Sequence, residues 1–120
     1  MPRHRTIDYV ELGVRDLAAA KAFYRDAFGW AFTDYGPTYA GIQGPGDREV
    51  GGLEQRGGGA PGAGGPLVIL YSEDLEASLA AVEAAGGTVS TPPFGFPGGR
   101  RFHFRDPSGN ELPVWAEAGG

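Results

Sequence analysis

The chain has 120 residues, 41% of them hydrophobic, with 22 glycines and 10 prolines. That suffices for one domain, or for two small halves sharing a core, cut by many turns. A net charge of −5 argues against a nucleic-acid partner, and the absence of cysteine excludes both a disulfide framework and a thiolate metal site.

No apolar run approaches the length of a membrane span. The basic start, MPRHR, is not followed by the apolar segment of a secretory leader, so the expected location is cytoplasmic. From Thr6 to Val14 the residues alternate, which predicts a strand with Val10, Leu12 and Val14 toward a helix layer and Tyr9 and Glu11 on the other face. Asp16 is placed as an N-cap, its carboxylate available to the orphan N–H groups of a first turn. Leu17, Ala20, Phe23, Tyr24, Ala27 and Phe28 recur at helical spacing, and Gly29 stops the helix. Strands follow at Trp30–Asp34 and Thr38–Gln43 around a Gly36-Pro37 turn. A weaker strand spans Glu49–Gln55, where Gly51-Gly52 signals a bulge or a close backbone approach.

Gly57 to Pro66 holds no core-forming residue. It lacks the GK[ST] ending of a phosphate loop, and no helix follows it, so it reads as a linker. The pattern then restarts: a strand at Leu67–Tyr71, an N-cap at Asp74, and a helical stripe of Leu75, Leu79, Val82 and Ala85 ended by Gly86-Gly87. A strand at Thr88–Thr91 and a break at Pro92-Pro93 come next. The last stretch, Arg100 to Trp115, is two alternating runs around the turn Asp106-Pro107-Ser108-Gly109, in which aspartate, proline and glycine each fit a turn position. Phe102 and Phe104 share one face of this hairpin, and Arg101, His103 and Arg105 the other. Beyond the turn, Glu111, Pro113 and Trp115 share a face.

The second half repeats the first with a shift of 58 positions (74 − 16): Leu12 falls on Leu70, Asp16 on Asp74, Leu17 on Leu75 and Gly29 on Gly87. The prediction is an α+β fold of two βαβββ modules, 6–56 and 66–117, with a Gly-rich linker at 57–65. The modules form a curved mixed sheet around a concave pocket, with helices outside. Strand parity sends Glu11 and His103 away from the helices, into that concavity. There an imidazole can give and take protons near neutral pH, and a carboxylate needs a partner such as Arg101 or a neighbouring arginine. Arg100 and Arg101 are candidates to clamp a carboxylate or phosphate. Tyr9, Tyr39, Tyr71, Phe94, Phe96 and Trp115 are candidates to line an apolar pocket, and Glu111 joins the same polar face. His4, near the terminus, is given no role.

This plan, with VRDLAAAKAFYRDAFGW and RRFHFRDPSGNELPVW in place, resembles the vicinal oxygen chelate superfamily, the group of glyoxalase I, bleomycin- and fosfomycin-resistance proteins and extradiol dioxygenases. More narrowly it is similar to single-domain bacterial proteins related to lactoylglutathione lyase. Superfamily enzymes hold a divalent metal with His and Glu side chains from four strands. The resemblance carries those positions to Tyr9, to Glu54 or Gln55, to Leu67 or Val68, and to Pro113. Three of the four lack a suitable donor, so no metal is expected at the usual place and no cofactor is expected. Glu11, Glu54, His103 and Glu111 would be the donors of a displaced Mg²⁺, Mn²⁺ or Zn²⁺ site. The resemblance also implies a cavity-facing His103 and a homodimer. The expectation is therefore a metal-independent small-molecule binding protein with an aromatic pocket. The alternative is a lyase, isomerase or oxygenase using a displaced metal or Glu11 and His103 as an acid–base pair.

Overall fold

The computed structural model describes residues 4, 5, 7–56 and 67–120. The predicted linker and the first residue of the predicted first strand lie outside them. The elements follow the predicted order: β1 (Val10–Val14), α1 (Leu17–Phe28), β2 (Phe32–Asp34), β3 (Tyr39–Gln43), β4 (Glu49–Gln55), β5 (Leu70–Tyr71), α2 (Leu75–Ala84), β6 (Thr88–Phe96), β7 (Gly99–Arg105) and β8 (Glu111–Glu117). β1 and β5 are shorter than the alternation suggested.

Both helices begin as the sequence predicts. The Asp16 carboxylate accepts from the Ala19 N–H and that of Asp74 from the Ala77 N–H, each satisfying one orphan donor of a first turn. Gly29 closes α1 in the left-handed region at φ 71°.

The repeat is visible in the strand order. One sheet runs β1-β4-β3-β2 and the other β5-β8-β7-β6. In each, the first pair is parallel and the rest antiparallel. The architecture is the expected α+β pair of βαβββ modules. Its strands are hydrogen-bonded as two four-stranded sheets, not as one continuous ladder.

One core serves both modules. Leu17, Ala20, Phe23 and Tyr24 form the buried face of α1. Phe23 and Phe28 of α1 place their rings 5.8 and 5.5 Å from Phe104 of β7, so the first module's helix packs on the second module's sheet. Phe102 and Phe104 are fully buried, each contributing roughly 1.5–3 kcal/mol by burial. Their neighbour His103 is thereby fixed on the opposite face.

The sequence predicts a break at Pro92-Pro93, but β6 runs through both prolines. It is an edge strand. Its register shifts between Val89 and Thr91 and again between Thr91 and Phe94, so the missing N–H groups interrupt no regular ladder. The extended strand brings Phe94 opposite Arg101.

The turn after β7 also joins the modules. Asp106, Ser108 and Asn110 are buried. The Asp106 carboxylate accepts from the Ser108 and Asn110 backbone N–H groups, from the Asn110 side chain and, at 2.9 Å, from the Tyr24 hydroxyl of α1. Asn110 donates to the Gly13 carbonyl, and the Ser108 hydroxyl accepts from the Arg15 N–H.

Burial, and then the neighbouring Asp106 carboxylate, push the Tyr24 hydroxyl well above the ordinary tyrosine value of 10.0. A raised folded-state value means that this contribution is complete below the unfolded value and is lost as pH rises through the folded one. Unfolding midpoints in denaturant should therefore fall from about pH 10 upward. Tyr24→Phe should shallow that fall while lowering stability at neutral pH by about 1 kcal/mol.

Candidate functional site

Register assembles the site on β7 and β8. Arg101 lies opposite Phe94 on β6 and opposite Trp115 on β8, and Trp115 lies opposite Tyr71 on β5. Directly paired residues share a face, so Phe94, Arg101, Trp115 and Tyr71 form a row across the sheet, away from the helices. At about 4.8 Å per strand it spans roughly 14 Å. The rings of Tyr71 and Trp115 are 5.1 Å apart, and Phe96 extends the aromatic surface 6.2 Å from Trp115. The Arg101 guanidinium lies over Phe94 and Phe96, 5.4 and 5.9 Å from their ring centres.

One step along the sheet, His103 lies opposite Thr91 and Pro113. It is 8% exposed. Its Nδ1 is 2.9 Å from Glu111 Oε2, and Glu111 Oε1 is 3.7 Å from Arg105. A carboxylate only accepts, so Nδ1 carries the proton and Nε2 of the neutral ring presents a lone pair. That Nε2 is buried and has no hydrogen-bond partner, and the same is true of Arg101 Nε. A buried unsatisfied polar atom costs about 1–3 kcal/mol. Two of them two residues apart on one face form a polar wall whose hydrogen-bonding capacity is unused.

Glu11 and Tyr9 occupy the corresponding face of the other sheet, in a different network. Tyr39 donates to Glu11 at 3.0 Å, Arg56 pairs with Glu11 at 3.1 Å and with Glu54 at 2.5 Å, and the Tyr9 and Tyr39 hydroxyls are 2.6 Å apart. Tyr9 and Tyr35 both donate to Glu49. Partial burial, and then its bonds to Tyr39 and Glu49, raise the Tyr9 hydroxyl well above 10.0. Glycines make room for these side chains: a Cβ on Gly52 would overlap the Tyr39 hydroxyl, and one on Gly41 would overlap the Glu49 carboxylate. This is the close approach that Gly51-Gly52 signalled. Val50 is the unpaired residue of a bulge beside it.

The predicted residues thus fall into two groups. Tyr71, Phe94, Phe96, Arg101, His103, Glu111 and Trp115 come together on one sheet, and Tyr9 and Glu11 lie on the other. The carboxylate bonded to His103 is Glu111, and the arginine beside Glu11 is Arg56. Arg100 is engaged by Glu76 at 2.7 Å, leaving Arg101 as the anchor on the site's face. Sequence reasoning missed Arg56, Glu49 and Tyr35. The paired glycines opposite one another in β3 and β4 were the only local signal of that network.

The positions that the superfamily uses for metal do not fit one. Tyr9 is bonded to Tyr39 and Glu49. Gln55 faces α1 and accepts from the Leu17 N–H. Pro113 sits in β8 opposite His103, and Leu67 is apolar. Glu54, the alternative to Gln55, is paired with the Arg56 guanidinium, which also holds Glu11. Among the described residues no three His, Asp or Glu side chains are grouped as for a metal ion. A recess of about 340 Å³ between α1 and the β2–β3 turn, lined by Leu17, Ala18, Lys21, Asp34, Gly36 and Pro37, lies apart from these groups.

Paired βαβββ modules with a polar and aromatic sheet face turned from the helices define a class of α+β proteins built around that face. The chain belongs to the Glyoxalase/Bleomycin resistance protein/Dioxygenase superfamily, whose model matches residues 6–114. It is 31% identical over 121 aligned positions to CFP32 of Mycobacterium tuberculosis, a protein with a provisional glyoxylase name. The match covers 94% of this chain, which spans about half (46%) of that relative. Among solved structures, a glyoxalase-related enzyme from Fulvimarina pelagi matches with a TM-score of 0.79 at 23% identity, over 95% of this chain and 89% of that one. TnmS3, an antibiotic binding protein from Streptomyces, matches with 0.72 at 22% identity, over 98% and 100%. Lactoylglutathione lyase from Agrobacterium tumefaciens matches with 0.69 at 24% identity, over 96% of each chain. These likenesses show the fold. No helix among the described residues is long and apolar enough to cross a membrane.

Proposed function

We propose that this protein binds a small organic molecule on the β5-β8-β7-β6 sheet without using a metal. One observation carries the reading: Arg101 Nε and His103 Nε2 are buried and unpartnered on the face where Tyr71, Phe94, Phe96 and Trp115 gather. Apolar and aromatic side chains with a few convergent polar groups are the usual lining of a ligand site. The antibiotic-binding function of a protein with the same fold supports this reading, as does the lack of a fitting donor set at the superfamily's metal positions. Equilibrium dialysis of a small-molecule library against chelator-treated protein tests it. Binders should be retained after chelation, and His103→Ala should weaken them at least tenfold with little change in the melting temperature. Binding that appears only when a divalent metal is restored would refute it.

A second reading rests on the His103–Glu111 pair. An imidazole whose Nδ1–H is held by a carboxylate and whose Nε2 lone pair is unoccupied has the arrangement of a general base. His103 would then take a proton from carbon beside a carbonyl, with Glu111 stabilising the imidazolium. Glu111→Gln would abolish such exchange in heavy water while leaving binding largely intact.

The face is open in the single chain: Tyr71 is 53% and Phe94 38% exposed. We propose that a second copy closes it in a homodimer. Light scattering at micromolar concentration should give twice the chain mass, and a clean monomer mass would contradict this.

A further inference from the structure

We infer that the ligand of this face is an organic anion, an aromatic carboxylate, held by Arg101. The inference rests on the binding reading above and adds the charge and shape of the ligand. β7 carries three arginines, Arg101 and Arg105 on the site's face and Arg100 on the other, and two have carboxylate neighbours: Arg100 with Glu76 at 2.7 Å and Arg105 with Glu111 at 3.7 Å. Arg101 has none among the described residues, and the residues outside them carry no carboxyl side chain. Its charge is nevertheless drawn over two aromatic rings and its Nε–H is buried without an acceptor.

A guanidinium on an aromatic surface is half-satisfied. The ring faces stabilise the cation, while the planar N–H fork still lacks the two-oxygen acceptor that it matches best. A carboxylate supplies that acceptor. Trp115 and Tyr71, on the far side of Arg101 from Phe94, supply the flat surface on which an aromatic body attached to the carboxylate would lie. The other sheet carries Glu11, Glu49 and Glu54 against Arg56. On the Arg101 face the two carboxylates are engaged, Glu111 by His103 and Arg105 and Glu117 by the Tyr71 hydroxyl, so an anion is favoured beside Arg101 over the other sheet.

The test compares 1-naphthoate with 1-naphthamide, a neutral probe of nearly the same shape, by calorimetric titration of the chelator-treated full chain. The expected result is at least tenfold tighter binding of naphthoate, a preference that falls as salt is raised. Arg101→Gln should remove the preference, and Arg101→Lys should keep part of it. Equal affinity for both probes would overturn the anion inference while leaving the binding face in place, and this comparison needs no variant to fold. A preference that survives Arg101→Gln would also overturn it. Binding of neither probe would sink both the inference and the reading beneath it.

Discussion

Asp106→Ala should destabilise the protein by about 3–5 kcal/mol. The carboxylate accepts four hydrogen bonds at a buried position: two from its own turn, one from the Asn110 side chain and one from Tyr24, 82 residues away. Removing it leaves the Tyr24 hydroxyl, one side-chain N–H of Asn110 and the Ser108 and Asn110 backbone N–H groups without that acceptor. Each orphaned buried donor costs about 1–3 kcal/mol. Asn110 would also hold the Gly13 carbonyl less firmly, loosening β1 from the second module. A domain of this size has only about 5–15 kcal/mol of stability in all, so the loss should lower the melting temperature by roughly 10–20 °C. Tyr24→Phe removes one donor and leaves the rest of the cluster intact, so it should cost about 1 kcal/mol. Similar losses for the two variants would mean that the turn relaxes freely and does not clasp the modules together.

Gly99→Ala should cost about 3 kcal/mol and also weaken ligand binding. Gly99 begins β7 at φ 156°, and a Cβ there would run into the Ala116 carbonyl of β8. Backbone cannot yield as a side chain does, so the start of β7 would move away from β8. That movement disturbs the pairing of Arg100 with Ala116 and of Arg101 with Trp115, on which the binding row depends. A variant with normal binding and normal stability would show that the register near Arg101 is tolerant. Chemical denaturation and probe titration on the same sample separate the two effects.

What could be read from the sequence was what local physics decides. Asp16 and Asp74 announced their helices because an N-cap acts within three residues. Phe102 and Phe104 announced the parity of β7 because side chains alternate along a strand. The module repeat followed from the same signals occurring twice. Pro92-Pro93 misled because a proline breaks a central strand but not an irregular edge, and position in the sheet is not a local property. Asp106 was read as a turn residue, which it is. Its bond to Tyr24 depends on how the modules dock, and no spacing encodes that. The site was legible as a set of faces. That Arg100 would be taken by Glu76 and Arg101 left over, or that His103 would find Glu111 and Glu11 find Arg56, depended on distances across strands.

The most direct test is to map a bound small molecule onto the chain by nitrogen-detected magnetic resonance of the chelator-treated protein. The Trp115 indole N–H, the Arg101 Nε–H and the His103 ring nitrogens should shift together on titration with 1-naphthoate, with the Tyr9, Tyr39 and Glu11 region unmoved. Shifts confined to the β1-β4-β3-β2 sheet, or none until a divalent metal is added, would contradict the account.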